Sequence, residues 1–301
     1  MAFYEYNQAM SLKLMDILNR FEKEGRPNLL HNIAITWVKY QSSSPTPCSG
    51  IGASWQENKL IYPASIVKLI YAAAAEAWIT DDLIPDSEEL RRAMDQMIKH
   101  SSNDATSFII DLLTGTTSGS SINATSFKSW KEQRSLINQW IRTLNWPEVK
   151  GINCCQKTWS DSPYGREKDF YQKGNTNRNK LTTSFTSRML EAIMTNAFLS
   201  PKVCNRLRSL LDRSLDPAQR REDPENQVDG FLGEGLKKGS KLWSKAGFMS
   251  EARHDAIWTS IPGKEPMLLV VFMQNKEYIN DNLLFPAIAN ELSHFDIPFH
   301  Y

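Results

Sequence analysis

Ser65-Ile66-Val67-Lys68 sets a hydroxyl and an amine three residues apart, at the point where an extended stretch ending in Ile61-Tyr62-Pro63 gives way to the apolar run Leu69 to Ile79. On a helix, residues at that spacing share a face, so the Lys68 amine reaches the Ser65 hydroxyl. An alcohol is a poor nucleophile at neutral pH and needs a base beside it. A lysine serves as that base only when burial or nearby positive charge lowers its pKa. Lys68 stands among Ile66, Val67, Leu69, Ile70 and Ala72 to Ala75, and a lysine buried in such company needs a reason. The first turn of a helix also leaves backbone N–H groups unpaired, and these can hold a developing oxyanion. The bland use of the same residues is a helix cap followed by a solvated lysine, and S-x-x-K alone is too short a pattern to decide between the two.

Two further clusters follow in order. Ser101-Ser102-Asn103 precedes a helical run, Ala105 to Leu113, and Lys245-Ala246-Gly247 lies in an extended segment, Lys241 to Phe248. With Ser65 and Lys68 they resemble the S-x-x-K, S-D-N and K-T-G signatures of the serine β-lactamase and penicillin-binding-protein superfamily, and most closely its class A-like branch. Pro63-Ala64-Ser65 fits the approach to the nucleophile in that branch. Lys245 to Phe248, running on to Ala252-Arg253-His254-Asp255-Ala256-Ile257-Trp258, fits its pair of strands. The resemblance covers most of the chain, from about Asn32 to the last helix.

The resemblance implies a role for each site residue. Ser65 is the nucleophile, Lys68 its activating base, and Ser101 passes a proton between Lys68 and the leaving group. Lys245 keeps Lys68 partly deprotonated and binds an anionic substrate group. Asn103 donates to a substrate carbonyl, Gly247 lets substrate approach the strand, and the N–H groups of Ser65 and Phe248 form the oxyanion hole. The chain departs from the pattern at Ser102, where the family has aspartate, and at Ala246, where it has threonine or serine. The second change removes a hydroxyl that would touch a substrate carboxylate. Arg253 is a candidate replacement clamp, since its guanidinium makes two parallel hydrogen bonds; a surface salt bridge is the competing use. Class A enzymes carry a deacylating glutamate on the loop before the helix that here begins near Thr183. Glu167 lies in that region, with Asp169 as the alternative, and both are equally at home as solvated loop charges.

Composition narrows the remaining options. The 301 residues are 41% hydrophobic and 23% charged, enough apolar content for a large core. Net charge is +1, so there is no global field to attract nucleic acid or an anionic membrane. Cys48, Cys154, Cys155 and Cys204 do not form a disulfide framework or a metal pattern, and no metal or cofactor is expected. Met1 to Ile17 has neither the basic start nor the apolar core of a signal peptide, and no stretch is long enough to span a membrane. The expected compartment is the cytoplasm, or the periplasm if a leader has been trimmed.

Met10, Leu14, Ile17, Leu18 and Phe21 recur at helical spacing. Ile33 to Val38 reads as a strand flanked on both faces, with a second near Gly50 to Gln56. Helices are expected over 87–99, with an Asp86/Glu89 capping box, and over 104–113, 129–144, 183–198 and 201–212, the last capped by Ser200 with Pro201 first. Three successive strands, 241–248, 254–261 and 267–274, lead to a closing helix over 281–294. Thr114 to Ser126 reads as an exposed loop, and Gly151 to Lys180 as a long functional rim. The fold class is therefore α+β, an antiparallel sheet flanked by terminal helices plus an all-helical lobe. The sheet lobe takes about 1–62 and 238–301 and the helical lobe about 63–237, with the site expected in the cleft between them.

The leading expectation is a serine hydrolase that passes through an acyl-enzyme on a small amide or ester bearing an anionic or polar group. A β-lactamase or a D-alanyl-D-alanine peptidase is a specific form of it. The alternative of another class is a binding protein that kept the fold and lost turnover, which Ser102 and Ala246 favour and the joint retention of Ser65, Lys68, Ser101, Asn103, Lys245 and Gly247 opposes.

Overall fold

The computed structural model describes residues 3–223 and 225–297. Its strands are β1 (Tyr4–Tyr6), β2 (Ile33–Lys39), β3 (Gly50–Trp55), β4 (Asp212–Arg213), β5 (Lys241–Met249), β6 (Ala252–Ser260) and β7 (Met267–Met273). Its helices are α1 (Gln8–Lys23), α2 (Leu29–Asn32), α3 (Val67–Thr80), α4 (Glu88–Lys99), α5 (Asn103–Thr114), α6 (Ala124–Arg134), α7 (Leu136–Thr143), α8 (Gly165–Tyr171), α9 (Thr183–Met194), α10 (Pro201–Leu211), α11 (Pro217–Glu222) and α12 (Leu284–His294). The chain divides into two compact units, residues 1–66 with 182–301, and residues 67–181.

The first unit holds one seven-stranded sheet in the order β1-β3-β2-β7-β6-β5-β4. All pairs are antiparallel except β1 with β3. Every residue of β2 and β7 is buried, as the doubly apolar strand at Ile33 to Val38 requires. One layer packs Met10, Leu14, Ile17 and Leu18 of α1 with Leu284, Phe285, Ile288 and Leu292 of α12 against Ile33, Ile35, Leu269, Val271 and Ile257. α9 packs on β2, β6 and β7, with a Thr36 to Thr183 hydroxyl hydrogen bond of 2.9 Å. This packing joins α9, which the sequence assigns to the helical lobe, to the sheet.

The second unit, α3 to α8, is helical. Ser87 Oγ accepts from Leu90 N at 3.2 Å and caps α4. The capping box expected from Asp86 does not form, because its carboxylate is taken by Arg91 at 2.6 and 2.9 Å. The single helix expected over 129–144 is two, α6 and α7, broken at Ser135. Among the described residues no helix is long and apolar enough to cross a membrane, and all four cysteines are free thiols.

Candidate active site

In the sheet-bearing unit, Ser65 is half-buried in the middle of a 3₁₀ turn, Ala64–Ile66, which α3 follows directly. Ala64 sits at φ 45°, a left-handed conformation that costs a residue with a Cβ about 1–2 kcal/mol. Ile66 N closes the turn on Pro63 O at 3.0 Å. β5 runs against the same stretch: a Cβ on Gly247 would lie 3.0 Å from Pro63 O and 3.1 Å from Ser65 N. Glycine is needed there so that strand and turn can approach.

Lys245 is buried. Its Nζ donates to Ala246 O at 2.7 Å and to Gln227 Oε1, which also accepts from Ala246 N at 3.1 Å. Gln227 has no motif around it, so sequence reasoning passed it over; it orients the third signature by accepting from both the Lys245 amine and the Ala246 N–H on one oxygen. Phe248 is 49% exposed, and its ring lies 5.2 Å from the Arg253 guanidinium. Arg253 itself is buried. Its Nε donates to Ile279 O at 2.6 Å, Nη2 to Asn282 Oδ1 at 2.7 Å and Nη1 to Gly230 O. The guanidinium expected as a carboxylate clamp thus meets two loop carbonyls and an amide oxygen, and it staples the loops around Gly230 and Ile279 to β6. Burial pushes the Asp255 carboxyl up to about 8, against the pull of Leu232 N–H and the Lys245 charge, so it is mostly protonated at neutral pH.

In the helical unit, Lys68 is wholly buried near the start of α3. Its Nζ donates to Asn103 Oδ1 at 2.8 Å, to Ser101 Oγ at 3.2 Å and to Ser101 O. All three acceptors are uncharged, and burial lowers the Lys68 pKa to about 7. Ser101 occupies the left-handed region at φ 54° in the turn between α4 and α5, which turns both its carbonyl and its hydroxyl to one amine. Ser102, where the family has aspartate, is the N-cap of α5 and accepts from Ala105 N at 3.1 Å. Asn103 therefore opens the helix with its side chain free to bridge Lys68 and, through Nδ2, Ser160 Oγ at 3.2 Å.

Ser160 arrives on the long loop 151–180, which is more ordered than its composition suggests. Asn179 accepts from Cys155 N and Gln156 N at 3.0 and 2.9 Å and donates to Gln156 O at 2.9 Å, while Tyr71 of α3 donates to the same carbonyl at 2.7 Å. The loop also contributes Glu167, the residue expected as a deacylating base. Glu167 is buried against Arg134, at 2.8 and 3.2 Å, and accepts from Ser118 Oγ at 2.8 Å. Lys157 Nζ lies 4.0 Å from it and 2.6 Å from Asp111. Two acids and two bases neutralise one another in this cluster, whereas among the described residues Lys68 is bonded to Ser101 and Asn103. Asp169 is exposed. Among the described residues no group of three or more His, Cys, Asp or Glu side chains is placed to hold a metal ion.

The sheet topology and the helical unit define an α+β protein of the β-lactamase and transpeptidase kind. The chain belongs to the β-lactamase enzyme family, whose model matches residues 49–295. No curated protein matches the sequence. Among solved structures it is similar to a variant of the reconstructed last common ancestor of Gram-negative bacterial class A β-lactamases, with 13% identity and a TM-score of 0.62 over 97% of this chain and 100% of that one. PBP-A is similar at 14% identity and TM-score 0.63, over 96% of each chain. A β-lactamase from Xanthomonas campestris is similar at 13% identity and TM-score 0.64, over 94% of this chain and 98% of that one. At these identities the likeness is one of fold.

Proposed function

We propose that the chain is a serine hydrolase that acts through an acyl-enzyme on a small amide or ester with an anionic or polar group near the scissile bond. The observation that carries the reading is Lys68, three residues after Ser65: a buried amine with only uncharged partners and a pKa near neutrality. A surface lysine has no cause to acquire that environment, whereas a general base for an alcohol works best with a pKa close to the ambient pH.

In this reading neutral Lys68 takes the proton of Ser65 as Oγ attacks the carbonyl carbon. The N–H groups of Ser65 and Phe248 receive the oxyanion, and the loss of one such donor costs about 3–4 kcal/mol of barrier. Collapse expels the leaving group, which collects its proton from Lys68 by way of the Ser101 hydroxyl and leaves an ester on Ser65. Lys245 supplies positive potential for the anionic group of the substrate. A mutant of PBP-A solved as the acyl-enzyme complex with penicillin G supports an ester of this kind on the fold. With Glu167 sequestered by Arg134, water activation falls to Lys68 and Ser101, so acylation outruns hydrolysis and the ester accumulates.

Incubation with a fluorescent penicillin and, separately, a fluorophosphonate, followed by intact-mass measurement and peptide mapping, tests the proposal. One adduct on Ser65, lost in Ser65→Ala, is expected. An adduct that survives Ser65→Ala would place the nucleophile elsewhere.

A further inference from the structure

β6 sets His254 directly across from Gly247 of β5 and from Phe272 of β7. The imidazole is wholly buried, its ring 4.7 Å from that of Phe272. Met273 N–H donates to Nδ1 at 3.1 Å, so Nδ1 carries the lone pair and Nε2 the proton. Nε2 in turn lies 2.8 Å from Tyr62 O and donates to it. Burial pushes the pKa down to about 4 against the opposing pull of the Tyr62 carbonyl, which keeps this single neutral tautomer throughout the neutral range.

Tyr62 stands three residues before Ser65. Between them lie Ala64 in its left-handed conformation and Pro63, whose carbonyl accepts from Ile66 N. A strained residue of this kind persists only when its surroundings over-determine it. Downstream, the turn is closed by the Ile66 hydrogen bond and covered by Gly247, where a Cβ would come within 3.0 Å of Pro63 O. Upstream, the anchor is His254. One cross-strand pair thus does two complementary things, the glycine admitting the turn and the histidine tying it down.

We propose that His254 is a positioning residue for the nucleophile, its hydrogen bond to Tyr62 O holding 62–65 in the turn that aims the Ser65 hydroxyl. This rests on the reading of Ser65 as nucleophile. Asparagine at 254 reproduces the atom that meets Met273 N–H but is too short for Tyr62; glutamine reaches Tyr62 O with its amide. Both are polar, both fill less space than imidazole, and they differ in the tie.

The test compares native chain, His254→Gln and His254→Asn by two readouts, well below each melting temperature. Acylation of Ser65 by fluorescent penicillin should stay within about fivefold of native in His254→Gln and fall by about 10- to 100-fold in His254→Asn, as misplacement of a reacting group by an ångström does. Hydrogen exchange at the Ile66 amide should quicken by about tenfold in His254→Asn alone. Equal acylation and equal exchange in the two variants would overturn the proposal and leave His254 a core residue. Should the native chain take no label, the acylated-serine reading falls by itself, while the exchange comparison still decides whether His254 holds the turn.

Discussion

Replacing Lys68 by methionine should make folding stability less dependent on pH, and the size of the change follows from the burial of the amine. The Lys68 pKa falls from 10.5 in the exposed state to about 7, a shift equivalent to about 5 kcal/mol against the charged form. Below pH 7 the amine is charged in both folded and unfolded chains, and the folded state bears that whole cost. As pH rises from 7 toward 10.5 the folded amine is neutral while the unfolded one still binds a proton, so the cost is progressively relieved and this group makes stability rise. About 2.5 kcal/mol of it is relieved between pH 6 and pH 9. Methionine binds no proton, so Lys68→Met should lose about that much stability relative to the native chain over the interval. Lost hydrogen bonds to Ser101 and Asn103 offset both ends alike. Urea unfolding of both proteins at pH 6 and pH 9, at one ionic strength, measures the difference. On the same argument, native acylation should climb about tenfold between pH 6 and pH 8 and then level, while Lys68→Met acylates at neither pH. A stability difference that stays constant with pH, or a flat acylation profile, would refute the assignment of Lys68 as a desolvated base.

Two other substitutions separate chemistry from architecture. Glu167→Gln should cost about 3–5 kcal/mol by leaving the buried Arg134 without its full partner and should leave the lifetime of the acyl-enzyme unchanged; Ser160→Glu, which sets a carboxylate beside Asn103, should shorten that lifetime by about 100-fold, and label release followed by mass spectrometry reads both. Arg253→Ala should lower the melting temperature and reduce activity on a charged penicillin and a neutral chromogenic ester by the same factor, because its guanidinium holds loops; a selective loss on the charged substrate would restore the clamp.

What could be read from the sequence is what local chemistry fixes. Ser200 and Pro201 start α10 because a cap and a residue without N–H suit those positions wherever they occur, and Ile33 to Val38 had to be covered on both faces. The hairpin strands β5 and β6 carry the third signature and a bare glycine. What the sequence did not show shares one cause, that partners distant in sequence decide the surroundings of a side chain. Glu167 stands in a polar loop like any solvated acid until Asp111, Ser118, Arg134 and Lys157 gather around it. Arg253 is an arginine at a strand start until Gly230, Ile279 and Asn282 each accept one of its hydrogens. Gln227 and His254 are chemically ordinary, and each acquires its meaning from one carbonyl or amine brought to it by the sheet. β4, of two residues, is too short to show a period.

The same distinction bears on turnover. The residues proposed for bond making to Ser65 sit in short motifs whose spacing a reader can check: Ser65 with Lys68, then Ser101 with Asn103, then Lys245 with Gly247. A base for releasing the ester has to be delivered by a long loop, and in this chain the loop spends its buried carboxylate on Arg134 and offers Asn103 a hydroxyl instead. In the proposed reading such a chain captures a carbonyl on Ser65 more readily than it releases the ester. Its motifs therefore speak to the first half of a hydrolytic cycle more than to the second, and the lifetime of the ester is the property on which it should differ most from an efficient β-lactamase.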